Sequence, residues 1–119
     1  MKRLIDSFKY AFNGFQSAWK SEQNLRIHTF SAIVIIFLSI YLNISAIEWM
    51  FVLLVIGGMF SLELMNTAIE RTVDLVTKEF HPIAKQAKDI AASAVLLFSI
   101  ISILIGMIIF LPKIVSLFS

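Results

Sequence analysis

Four polar side chains, Glu63, Asn66, Glu70 and Asp74, interrupt an apolar stretch at spacings of three, four and four residues. At 3.6 residues per turn they share one helix face within roughly 80°, with Glu63 and Glu70 about 10 Å apart along the axis. Each carboxylate costs roughly 3 kcal/mol at mid-bilayer on insertion scales, so three on one face call for a compensating partner, a metal ion or a second set of helices. Lys88, Glu70, Asp74 and Glu22 together would suit a phosphate-bound magnesium ion: hard oxygen ligands for the metal and an ammonium for the phosphate charge. Glu22 lies where an upstream helix must turn into the first apolar run, and there it could meet Glu70 from another helix. The ligand set is weakly specific, because magnesium needs only one or two carboxylates plus substrate phosphates. Taken alone, the stripe equally fits a proton or cation path, or polar glue between helices.

The elements that must position these residues belong in a bilayer. Hydrophobic residues make up 59% of the chain and charged ones 15%, and the mean hydropathy is +0.88, which sets it apart from an average soluble domain. At 119 residues it reads as one domain, residues 1–119, with no room for a separate soluble catalytic module. There is no cysteine, which excludes disulfides, thiolate zinc sites and a cysteine nucleophile.

Three charge-poor runs predict three membrane-spanning helices: Phe30 to Ile47, Trp49 to Leu62 extended past Glu63 to about Ile69, and Ile90 to Leu111. The spans are placed at about 27–47, 47–70 and 88–111. Asn43 to Ala46 reads as a tight polar turn, and a charged loop around Lys78 to Lys85, containing Pro82, joins the second and third spans. Before them, Leu4, Ile5, Phe8, Phe12, Phe15 and Trp19 recur at helical spacing opposite Lys2, Lys9, Asn13, Gln16 and Lys20. This predicts an amphipathic surface helix over about 1–22, with Tyr10 and Trp19 at headgroup level. No small-residue cleavage site follows the late first apolar run, so the segment is not read as a cleavable signal. Nine lysines and arginines precede the first span or lie between the second and third, with Lys113 the exception, so the amino terminus and second loop are expected to be cytoplasmic.

Other motifs exclude more than they suggest. The four glycines form neither a phosphate-binding loop nor a glycine-rich kinase loop, and Gly57-Gly58 reads as a close helix contact. His28 and His81 are not a metal-ligand pair by spacing and are expected at the surface. Asp89, expected in the first turn of the third span, would interact favourably with the helix dipole. Ser93, Ser99 and Ser102 are expected to bond to their own helix or a neighbour.

The run Glu63-Leu-Met-Asn66-Thr-Ala-Ile-Glu70-Arg-Thr-Val-Asp74, then Glu79-Phe80-His81 and Ala87-Lys88-Asp89-Ile-Ala-Ala-Ser-Ala-Val95, resembles the signature of the prokaryotic diacylglycerol kinase family, small integral-membrane lipid kinases. Ala18-Trp19-Lys-Ser-Glu22-Gln-Asn-Leu-Arg26 resembles it too, so the likeness covers nearly the whole chain. The resemblance implies an all-α membrane protein with three transmembrane helices and a surface helix, assembled as a homotrimer with composite sites. It also implies transfer of the ATP γ-phosphoryl group to a lipid hydroxyl with Mg2+. Residue by residue, Glu63 would be the general base, and Glu22 and Glu70 the metal ligands. Arg3, Tyr10, Glu22, Glu70, Glu79, Phe80, His81, Lys88 and Asp89 would lie at the nucleotide, with Asn66 and Asp74 in support. Glu63 and Trp19 are the expected lipid contacts.

The stretches Asn24 to His28 and Lys85 to Leu97 resemble the undecaprenol kinase branch, whereas His28 and Ala92 depart from the diacylglycerol branch, which carries an acid and a serine there. Undecaprenol converted to undecaprenyl phosphate is therefore the expected reaction, with diacylglycerol to phosphatidic acid the alternative. A proton- or cation-conducting subunit is the alternative of another class. The expected location is a bacterial cytoplasmic membrane, crossed several times, with no nucleic-acid partner.

Overall fold

The computed structural model describes residues 1–119 as four helices: α1 Lys2–Ser21, α2 Gln23–Tyr41, α3 Ala46–Val76 and α4 Pro82–Leu117. The protein is all-α, and α2, α3 and α4 are each long and apolar enough to cross a membrane. Helix α1 is amphipathic and leaves Leu4, Ile5, Phe8 and Phe12 exposed, the pattern of a helix lying on a bilayer surface. Only eleven residues are buried within the protomer. Most of the apolar surface of α2 to α4 must therefore face lipid or another subunit.

Polar end groups settle where the helices begin. Ser45 opens α3 with a reciprocal cap: its hydroxyl accepts from the Glu48 N–H at 3.2 Å, and the Glu48 carboxylate accepts from the Ser45 N–H at 2.9 Å. Asn43, with φ 52°, makes the preceding turn, a left-handed conformation that asparagine tolerates. At the other turn Pro82 is the first residue of α4, where a missing N–H costs nothing. The connection between α3 and α4 thus shrinks to residues 77–81 rather than a loop reaching Lys85. Asp89 sits in the third turn of α4, too far in to meet the helix terminus, and pairs with Lys85 one turn back.

Helices α3 and α4 outrun the bilayer. Their 31 and 36 residues extend about 46 and 54 Å against a hydrocarbon thickness of about 30 Å. A hydrocarbon zone of about 20 residues beginning at Ala46 would end at Met65, with Glu63 in its last turn and Glu70 and Asp74 beyond it. The apolar core gathers at the opposite end, where Ile44, Val52, Ile109 and Phe110 pack together. There Lys113 meets Glu48 at 3.1 Å, so the one basic residue at that end is neutralised locally. Helices α3 and α4 share the largest contact in the fold. A Cβ on Gly58 would overlap the Phe98 ring, the physical need for glycine there, whereas Gly57 faces open space.

Candidate active site

The site lies at the basic end, around the elbow between α1 and α2. Glu22 is the single residue between the two helices, extended at φ −110° and ψ 108°, and two arginines fix the corner around it. Arg26 donates to the Trp19 carbonyl at 2.7 Å, satisfying the end of α1. Arg71, from α3, donates to the Ser17 and Ser21 hydroxyls at 2.7 and 2.6 Å and to the Ser17 carbonyl at 3.1 Å. Aromatic packing continues the seam: Trp19 stacks on Phe15 with centroids 6.2 Å apart, and Phe15 meets Phe60 of α3 at 6.4 Å. These contacts hold α1 against α3 on both sides of Glu63, Phe60 one turn before it and Arg71 about two turns after.

Glu63 is 1% exposed, and its Oε2 has no hydrogen-bond partner. The Oδ1 atom of Asn66 is buried and unpartnered as well, while its amide nitrogen donates to Glu70 at 3.4 Å. Burial pushes the Glu22 carboxyl above its ordinary value of 4.5, and the Glu70 and Glu63 carboxylates raise it further, with Arg71 pulling it partly back. Glu22 and Glu70 are therefore near enough to repel. Further along, Lys88 of α4 donates to Asp74 at 2.6 Å, a half-exposed pair spanning the two helices.

The structure thus brings Glu22, Glu63, Asn66 and Glu70 into one neighbourhood and places the Asp74–Lys88 pair on its outer side. Within one protomer no three carboxylate or imidazole groups converge as a ready-made metal cage. Glu79, Phe80 and His81 are exposed in the α3–α4 turn, where His81 already has a structural task, its Nδ1 accepting from the Ile83 N–H at 3.1 Å. Asp89 is exposed and engaged with Lys85. Arg3 and Tyr10 lie exposed on α1, about 28 and 18 Å from Glu22 along the helix. The chain does not gather these two with the carboxylates.

His28 corrects the surface placement expected for it. Its side chain is three-quarters buried, and its Nε2 lies 3.6 Å from Oε2 of Glu63. No local pattern in the sequence could show this, because the residues meet only through the packing register of α2 on α3. The anchoring roles of Arg26 and Arg71 were equally hidden behind their value as topology-setting charges.

An apolar groove of about 420 Å³ adjoins the site, lined from all three long helices by residues including Ile35, Ile56, Met59 and Ile103. His28 and Phe60 lie on its wall, and His28 is the only titratable lining residue. Its lining is mostly apolar, a surface suited to hydrocarbon.

The sequence profile of prokaryotic diacylglycerol kinase matches residues 9–110, which hold the whole carboxylate cluster. The chain belongs to the prokaryotic diacylglycerol kinase family. Among relatives in the family, an undecaprenol kinase of Bacillus subtilis is 49% identical over 113 residues, covering 95% of this chain and 92% of that protein. A diacylglycerol kinase of Synechocystis is 41% identical over 96% of this chain and 66% of its own length. The diacylglycerol kinase of Escherichia coli K12 is 26% identical over 86% of this chain and 84% of its own.

Proposed function

We propose that the protein is an ATP-dependent lipid kinase that phosphorylates a membrane alcohol, undecaprenol, to undecaprenyl phosphate. The observation that carries this reading is Glu63: a buried carboxylate with an unpaired oxygen, at the edge of the hydrocarbon zone and beside a groove fit for a lipid chain. Leaving such a group unpaired costs stability, which a substrate hydroxyl would recover. Undecaprenol is preferred over diacylglycerol because the B. subtilis undecaprenol kinase is 49% identical and of nearly equal length.

In this reading the chain entering the groove leaves its hydroxyl at Glu63, which accepts the hydroxyl proton as the oxygen attacks the γ-phosphorus of ATP. The bond to the bridging oxygen breaks, and ADP leaves on the aqueous side. The roughly 10 Å between Glu63 and Glu70 along α3 leaves room for the transferred group between base and nucleotide. Glu22 and Glu70 would hold magnesium, and a cation between them would relieve the repulsion that, after burial, raises the Glu22 carboxyl. When bound, the ion would neutralise charge on the triphosphate. Asn66 orients Glu70 through its amide. Lys88, now on Asp74, would turn its ammonium to phosphate, and Trp19 would flank the lipid.

Arg3, Tyr10, Asp89 and the Glu79–His81 turn would contact the nucleotide from a neighbouring subunit. The distance of Arg3 and Tyr10 from Glu22 along α1 supports sites shared between subunits, and the family resemblance implies that the subunits number three. The nine basic residues at the site end supports a cytoplasmic amino terminus in a bacterial cell membrane. The test is to supply the purified protein with labelled ATP, magnesium and either undecaprenol or diacylglycerol in detergent. Label mainly on undecaprenol is expected. Preference for diacylglycerol would overturn the lipid assignment, and label on neither, in folded protein, would overturn the kinase reading in favour of an ion path.

A further inference from the structure

Glu63 reaches its site from α3, but the residue facing its unpaired oxygen comes from α2. The Nε2 atom of His28 lies 3.6 Å from Glu63 Oε2, beyond hydrogen-bond length yet within reach of a small side-chain rotation. Catalytic contacts are often this long before substrates bind. No hydrogen bond holds that oxygen. The Thr67 hydroxyl, one turn along, is spent on the Glu63 backbone carbonyl at 3.0 Å. The Asn66 amide turns to Glu70, and Lys88 is engaged by Asp74.

Resting on the reading of Glu63 as the base, we propose that His28 is its positioning residue, the Nε2–H closing onto Oε2 and so fixing the carboxylate that receives the lipid hydroxyl. An imidazole, a ring with an N–H to spare, suits this place. A lysine would bring a full charge to the hydrocarbon edge, and an ionised carboxylate has no hydrogen to donate to Glu63. The histidine ring presents apolar edges to the groove it lines and one N–H to the carboxylate. It thereby couples the occupied groove to the orientation of the base, since a chain seated against the ring limits the rotation that would carry Nε2 away.

Glutamine and asparagine separate this role from mere packing. Gln places its amide nitrogen near the position of imidazole Nε2, whereas Asn places it near Nδ1, too short to reach Glu63. Turnover is measured in detergent with magnesium, ATP and whichever of undecaprenol or diacylglycerol the unaltered protein phosphorylates. His28→Gln is expected to keep kcat within about threefold, while His28→Asn and His28→Leu lose about tenfold to a hundredfold. KM for both substrates should stay within about twofold, because the loss falls on positioning within the 10²–10⁴ that a general base supplies. Equal kcat for Asn and Gln, or a loss confined to lipid KM, would overturn the role of His28. Glu63→Gln measured alongside distinguishes the failures: if it is inactive, only the histidine's role falls, and if it is active, the base itself falls.

Discussion

Helix α3 carries one glutamate in its first turn and another just past its middle, and the two live in opposite circumstances. Glu48 closes a capping box with Ser45 and meets Lys113 at 3.1 Å, beside the apolar cluster of Ile44, Val52, Ile109 and Phe110. Glu63, about 22 Å along the same helix, is more deeply buried yet has an oxygen with no partner. Around it Glu22 and Glu70 add like charge. The Ser45 end of α3 satisfies its carboxylate and so fixes the α2–α3 turn, whereas around Glu63 one carboxylate oxygen and the Asn66 Oδ1 stay open. A buried polar group without a partner costs free energy that folding alone does not return, so its persistence points to a ligand that completes it.

The contrast can be broken at either end. The largest effect should come from the ion: chelating divalent cations with EDTA is expected to abolish lipid phosphorylation, with magnesium restoring it. Glu70→Gln should cost on the order of 10²-fold in turnover and raise the magnesium concentration needed for half-maximal rate. At the far end, Ser45→Ala should leave turnover unchanged and cost about 1 kcal/mol of stability in a denaturation series, the usual worth of a helix cap.

The smallest effect is one of pH. Because the folded Glu22 carboxyl titrates above its ordinary 4.5, the folded protein holds that proton more tightly than the unfolded chain. Its contribution to stability is therefore present at low pH and lost as pH rises through the raised value. Without magnesium, Glu22→Gln should narrow the difference in melting temperature between pH 5 and pH 7. With magnesium, unaltered protein should gain more at pH 7 than at pH 5. The reverse order would separate Glu22 from the ion.

Much of this was legible in the residues. The carboxylate stripe follows from spacing alone, since Glu63, Asn66, Glu70 and Asp74 keep one face in any continuous helix. The surface helix and three apolar runs follow from periodicity and charge. The helix ends were less legible: α3 runs to Val76 and α4 starts at Pro82, because polar turns beyond the hydrocarbon stay helical when no glycine or proline stops them. Least visible were contacts between distant helices. His28 on Glu63 and Arg71 on Ser17 and Ser21 depend on packing register, which no local pattern carries. Lys113 looked like a lone exception to the charge asymmetry until Glu48 was found beside it.

The most direct measurement sets Glu63→Gln against Glu48→Gln, reading lipid phosphorylation and nucleotide binding in the same detergent. Glu63→Gln is expected to lose about 10³-fold or more in turnover while still binding magnesium and ATP, since it removes a proton acceptor and little else. Glu48→Gln should turn over at the unaltered rate and melt earlier. Turnover by Glu63→Gln within about tenfold of the unaltered protein would contradict the assignment of chemistry to the open stretch of α3.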